Sequence, residues 1–181
     1  MKPIVEKILF KRKKLEGYSY VRFIAFQLIQ YLAIGASMIL LFLLYAKISG
    51  RELFEAQNYS KPFWFYSATL FGSIIMETFI FQYVPFQLFK LIWKVRGRKS
   101  PLSFIIFSAL VFGLFHIAAS NKDIVLAILK VIGCTFGGII LSTSYYILVR
   151  KKQYPFWSVF LIHFLYDFII LGLAFCMKSW I

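Results

Sequence analysis

The chain has 181 residues, of which 61% are hydrophobic, 20% aromatic and 15% charged. A soluble domain is about 45–50% apolar and about 25% charged, so this balance excludes an ordinary soluble or disordered protein. A formal net charge of +14 would point to nucleic acid in a soluble protein. Here the basic residues sit between long apolar runs, which points to membrane topology and anionic lipid instead, with no nucleic-acid partner.

The N-terminal segment, residues 1–22, carries Lys2, Lys7, Lys11, Arg12, Lys13, Lys14 and Arg22. Ile4, Val5, Ile8, Leu9 and Leu15 recur among them at helical spacing. This segment reads either as an interfacial amphipathic helix on an anionic leaflet or as a solvated basic arm. Five apolar stretches follow: Phe23–Ala46, Phe63–Phe89, Leu102–Ala119, Ile124–Val149 and Tyr154–Cys176. A bilayer core of about 30 Å needs about 20 such residues in a helix, so each reads as a span. Ser60 with Pro62, Ser100 with Pro101, and Pro155 mark the starts of the second, third and fifth. Pro85 should disturb the second span late in its course. Phe86 to Arg96 would then run along the interface, with Trp93 as anchor and Gly97 as stop. The predicted fold is all-α: a polytopic membrane helix bundle of about five spans, with a motif-bearing core over residues 63–176, forming one membrane-embedded domain over residues 1–181.

Lysines and arginines alternate sharply across the spans. The N-terminal segment, second loop and fourth loop hold fifteen; the first loop, third loop and C-terminal tail hold five. The positive-inside rule therefore places the N-terminus in the cytoplasm and the C-terminus outside. Cys134 and Cys176 lie inside apolar runs, which suits packing rather than a disulfide framework or a thiolate metal site.

Ionisable groups in hydrocarbon are costly and point to function by default. The spans contain Glu77, His116, His163 and Asp167, together with Lys130, which can snorkel and is read as structural. At about 1.5 Å per residue from the cytoplasmic edge, Glu77 lies about 18 Å deep, His116 about 21 Å, His163 about 14 Å and Asp167 about 20 Å. Three different spans thus place four polar groups in one layer. His163 and Asp167, four apart, share a helix face, and Phe112 packs beneath His116. A lone intramembrane histidine is more often an interhelical tie than a catalyst. Four such groups at one depth favour a polar functional cavity. Gly133, Gly137 and Gly138 form a small-residue stripe for close helix packing.

An intramembrane Glu, then Phe-x-x-x-His (Phe112 to His116), then His-x-x-x-Asp (His163 to Asp167) resembles the CAAX protease and bacteriocin-processing family, CPBP or Abi, related to the type II CAAX prenyl endopeptidases. The family's first motif is Glu-Glu-x-x-x-Arg. Here it reads Glu77-Thr78-Phe79-Ile80-Phe81-Gln82. Aligning Glu77 with the second Glu would put Met76 and Phe81 at the first Glu and the Arg; aligning it with the first keeps polar residues at polar positions, with Thr78 and Gln82 at the second Glu and the Arg. Those two, four apart, are expected to hydrogen-bond and so replace an ion pair with a neutral pair. The resemblance implies peptide-bond hydrolysis inside the membrane. Glu77, aided by His116, would activate a water, since a Glu in an apolar pocket suits general-base work. His163 and Asp167 would orient the substrate carbonyl or stabilise the oxyanion, with Thr78, Gln82 and Phe112 in support. No metal is obligatory on this reading; the alternative is zinc held by Glu77, His116 and His163. The substrate would be a peptide or membrane protein. The setting would be a bacterial cytoplasmic membrane, in peptide maturation or bacteriocin-type immunity. The rival is a catalytically impaired scaffold or immunity protein that binds a partner membrane protein.

The charge asymmetry makes a direct prediction: a reporter enzyme fused after Ile181 is active only on the outer side of the membrane. A fusion active only in the cytoplasm reverses the topology.

Overall fold

The computed structural model describes residues 19–50, 61–97, 100–116 and 124–178, and the expected N-terminal interfacial helix lies outside them. Within them the fold is a bundle of helices. The first, α1, spans Tyr20–Ser49; α2 spans Phe63–Thr78 and passes through a π-helical turn, Phe79–Tyr83, into α3, Val84–Arg96. Then come α4, Pro101–Phe115, α5, Ile124–Arg150, and α6, Pro155–Lys178. Four helical stretches are long and apolar enough to cross a membrane: α1, the continuous run from α2 to α3, α5 and α6. The third expected span is shorter. Its 15 helical residues cover about 22 Å, less than the bilayer core.

Local sequence accounts for the helix ends. Ser19 accepts a hydrogen bond from the Arg22 N–H at 3.4 Å. Pro101 opens the first turn of α4, where a missing N–H does little harm. Gly50 and Gly97 close α1 and α3 in the left-handed conformation, with φ of 65° and 63°.

Pro85 lacks an N–H and its ring crowds the carbonyl four residues back, which belongs to Phe81. The chain answers with the π-turn: the Val84 N–H reaches the Phe79 carbonyl, five residues back. The released Phe81 carbonyl accepts the Ser108 hydroxyl of α4, and Ser108 lies 2.6 Å from the Ser142 hydroxyl of α5. Because the defect is absorbed in this turn, α3 stays against the bundle. Trp93, expected as an interfacial anchor, is instead a core residue, its ring centroid 6.0 Å from Phe86 and 6.4 Å from Tyr146.

Outward faces carry exposed Leu40, Leu44, Ile48, Leu91 and Val95, as expected of surfaces that meet lipid. The interior holds Phe81, Phe104, Phe112, Leu141, Leu148 and Ile162, all at most 2% exposed. Polar ties cross it: Ser144 donates to Gln27 at 3.0 Å, and the Tyr20 and Ser158 hydroxyls lie 2.6 Å apart. Such bonds are favoured where no water competes.

Helix α5 is the hub, packing on α1, α4 and α6. Its small-residue stripe lets neighbours in. A Cβ on Gly137 would lie 2.5 Å from the Tyr31 ring on α1, and one on Gly138 would lie 2.9 Å from the Ala109 Cα on α4. Backbone cannot yield as a side chain can, so Gly138→Ala should destabilise by about 1–3 kcal/mol. Gly72, whose Cβ would meet nothing within 4 Å, should gain about 0.5–1 kcal/mol on change to Ala. Thermal unfolding in detergent micelles checks both; equal effects would contradict the assignment of Gly138 as a packing contact.

Candidate active site

Glu77 sits one residue before the end of α2, directly ahead of the π-turn. His163 and Asp167 lie on successive turns of α6, and His116 caps the C-terminus of α4, its N–H bonded to the Gly113 carbonyl at 3.1 Å. His163 Nε2 is 3.1 Å from Asp167 Oδ2 and 3.8 Å from Glu77 Oε2. One imidazole nitrogen therefore faces two carboxyl groups from two helices. The His163 side chain is 4% exposed, whereas those of Glu77 and Asp167 are 22% and 30% exposed.

Phe112 packs against both histidines. Its ring centroid is 4.7 Å from that of His116 and 5.6 Å from that of His163. His116, His163 and Asp167 all lie within electrostatic range of Glu77. The structure thus gathers the four ionisable residues singled out from the sequence around one buried phenylalanine.

Hydrogen-bond partners assign the ring protons. His116 Nδ1 lies 2.8 Å from the Phe112 carbonyl. A carbonyl only accepts, so a neutral His116 carries its proton on Nδ1 and presents Nε2 as a lone pair. At His163 the carboxyl groups face Nε2, which places the proton there and leaves Nδ1 as the acceptor; Nδ1 is buried without a hydrogen-bond partner. The two rings are opposite tautomers, one offering an acceptor and the other a donor.

The expected Thr78–Gln82 hydrogen bond does not form. Both residues are fully buried, and Thr78 Oγ1 and both polar atoms of the Gln82 amide lack any hydrogen-bond partner. Thr78 directly precedes the π-turn and Gln82 lies within it. Its i→i+5 pattern widens the turn, so residues four apart no longer stack as they would on a regular α-helix.

Among the described residues no three His, Cys, Asp or Glu side chains converge so as to hold a metal ion.

Two aromatic residues belong beside this site that the sequence reading did not select. Tyr31 of α1 has its ring centroid 5.9 Å from that of His163, and Tyr166 stacks on Tyr31 at 4.1 Å. A signal was present. Phe23, Gln27, Tyr31 and Gly35 recur every four residues, and all four are buried. A glutamine, a tyrosine and a glycine on one face of an apolar span mark the face turned to the bundle.

The family model described as type II CAAX prenyl endopeptidase Rce1-like matches residues 59–169, which include Glu77, His116, His163 and Asp167. Searches of curated proteins and of solved structures give no match.

The unpaired groups yield a stability prediction. Thr78→Val keeps the shape and removes a buried, unsatisfied hydroxyl, so stability should rise by about 1 kcal/mol. Ser108→Ala removes the donor to the Phe81 carbonyl and should cost about 1–3 kcal/mol. Unfolding midpoints in micelles decide; a loss on Thr78→Val would mean that its hydroxyl has a partner.

Proposed function

The chain belongs to the type II CAAX prenyl endopeptidase Rce1-like family, and from that premise we propose that it is an intramembrane endopeptidase working through a Glu77-activated water. The observation that carries this reading is the convergence of Glu77 and Asp167 on His163 Nε2, at 3.8 and 3.1 Å, with His116 across Phe112. In this scheme a water sits between the Glu77 carboxylate and the lone pair of His116 Nε2. Glu77 accepts a proton as the water oxygen attacks the scissile carbonyl carbon. The carbonyl π-bond opens, and the negative charge settles on its oxygen. The His163 Nε2–H, kept on that nitrogen by the Asp167 carboxylate, would be shared with that oxyanion as a bifurcated donor. The proton on Glu77 then passes to the amide nitrogen, the C–N bond breaks, and an acid and an amine leave. No step requires a metal.

On this reading the protein works as a single domain in a bacterial cytoplasmic membrane, N-terminus inside, with its basic segments on anionic lipid. Its substrates are peptides or membrane proteins, in maturation or in bacteriocin-type immunity. The altered first motif supports a second reading. Thr78 and Gln82 stand, buried and unpaired, where the family carries an ion pair. A protein relieved of turnover could tolerate this and serve as a scaffold or immunity factor that binds a membrane partner.

Purified protein in liposomes, supplied with an internally quenched hydrophobic peptide with and without a farnesylated CAAX end, separates the two. Glu77→Gln keeps size and hydrogen bonding but removes the base, so cleavage should fall at least ~10²-fold while the unfolding midpoint holds. His116→Ala should be nearly as severe, and Thr78→Ala milder. Cleavage unchanged by Glu77→Gln would overturn the Glu77 mechanism. An immunity phenotype that survives it would pass that role to the scaffold reading.

A further inference from the structure

Tyr31 lies on α1, outside residues 59–169 that the family model matches. It is 6% exposed, and its ring lies against that of His163. Three contacts hold its ring. Tyr166, the residue before Asp167, stacks on it at 4.1 Å and an interplanar angle of 17°. The His163 ring is tilted against it at 5.9 Å. Gly137 of α5 admits its edge: a Cβ there would lie 2.5 Å from Tyr31 Cε2 and 3.1 Å from the hydroxyl oxygen. Gly35, one turn further along α1, makes the matching space for the hydroxyl end of Tyr166. The interlock places the Tyr31 hydroxyl within electrostatic range of both Asp167 and Glu77.

The chemistry of the site makes a hydroxyl there useful. An oxyanion is stabilised by preorganised donors. Carboxylates accept hydrogen bonds and do not donate them, so Glu77 and Asp167 contribute none in their ionised forms. His163 offers a single N–H, and both carboxyl groups already compete for it. His116 uses its own N–H on the Phe112 carbonyl. A phenol keeps its proton across the physiological range and can donate without transferring it. A ring clamped by a stack, an imidazole and a glycine loses little freedom when substrate arrives, which is what a preorganised donor requires.

We propose that Tyr31 is a substrate-contacting residue, whose hydroxyl donates a hydrogen bond to the scissile carbonyl oxygen and strengthens it as the oxyanion forms. This rests on the endopeptidase reading. It also makes α1 part of the active site: the segment matched by the family model would be catalytically incomplete without the helix that precedes it.

Tyr31→Phe keeps the ring, the stack and the fit against Gly137, and removes only the donor. With the quenched peptide in liposomes, kcat should fall about 10²-fold, while KM stays within about twofold and the unfolding midpoint is unchanged. A peptide phosphinate of the same sequence, which presents a tetrahedral anionic centre, gives a readout without turnover. Its affinity should weaken at least ~10-fold in Tyr31→Phe, while that of the uncleaved amide peptide, measured in the Glu77→Gln background, stays the same. Wild-type kcat and wild-type phosphinate affinity in Tyr31→Phe would overturn the role of Tyr31 even with Glu77 proven essential. A lowered midpoint with kcat and KM unchanged would reduce Tyr31 to a packing residue. Equal cleavage by wild type and Glu77→Gln would instead overturn the underlying protease mechanism.

Discussion

In lipid every backbone polar group has to find its partner within the protein, and one such group organises this bundle. Pro85 cannot donate to the Phe81 carbonyl, so the second span cannot continue as a regular α-helix. The π-turn Phe79–Tyr83 shifts the hydrogen bonding by one residue, and Ser108 of α4 supplies the missing donor, backed by Ser142 of α5. An unsatisfied carbonyl would cost several kcal/mol in hydrocarbon. That cost fastens three helices to one another at a single level. Glu77 stands immediately before the turn, so the same constraint sets which way its carboxyl faces.

The site is then assembled by helices that approach closely. Gly137 and Gly138 on α5 face different partners: one receives Tyr31 of α1, the other the backbone of α4 at Ala109. With those two neighbours drawn in, Phe112 comes against both His116 and His163, and Tyr31 comes against His163. The polar groups therefore lie in a wall of aromatic rings. Such a wall excludes bulk water, and charge–charge interactions within it act over short distances with little screening. His163 lies deepest, and the two carboxyl groups that meet it are more open.

The first motif shows how local rules give way. Thr78 and Gln82 look like a helical i,i+4 pair, and their polarity suits mutual hydrogen bonding. Once the π-turn intervenes the spacing no longer brings them together, and both are left buried and unpaired. The proline that causes this lies downstream of both residues. Trp93 is a second case. An aromatic residue near a span end suits an interface, yet with α3 held against the bundle its ring goes into the core beside Phe86.

The sequence by itself determined the class of the protein, the helices and the identity of the polar residues. Long apolar runs are unambiguous because a bilayer imposes a length, and Glu77, His116, His163 and Asp167 stand out because charge in hydrocarbon is expensive. The i,i+4 spacing of His163 and Asp167 was legible for the same reason that their contact forms: both lie on one uninterrupted helix. What only the tertiary structure decided were relations between helices. No periodicity within α1 says that Tyr31 meets a histidine 132 positions later in the chain, although the four-residue stripe from Phe23 to Gly35 marks the face it occupies. Nor does any spacing say that Ser108 will repair the defect of Pro85. Those contacts depend on the rotation and separation of packed helices, which many small van der Waals and hydrogen-bonding terms fix jointly, and no local stretch of sequence encodes them alone.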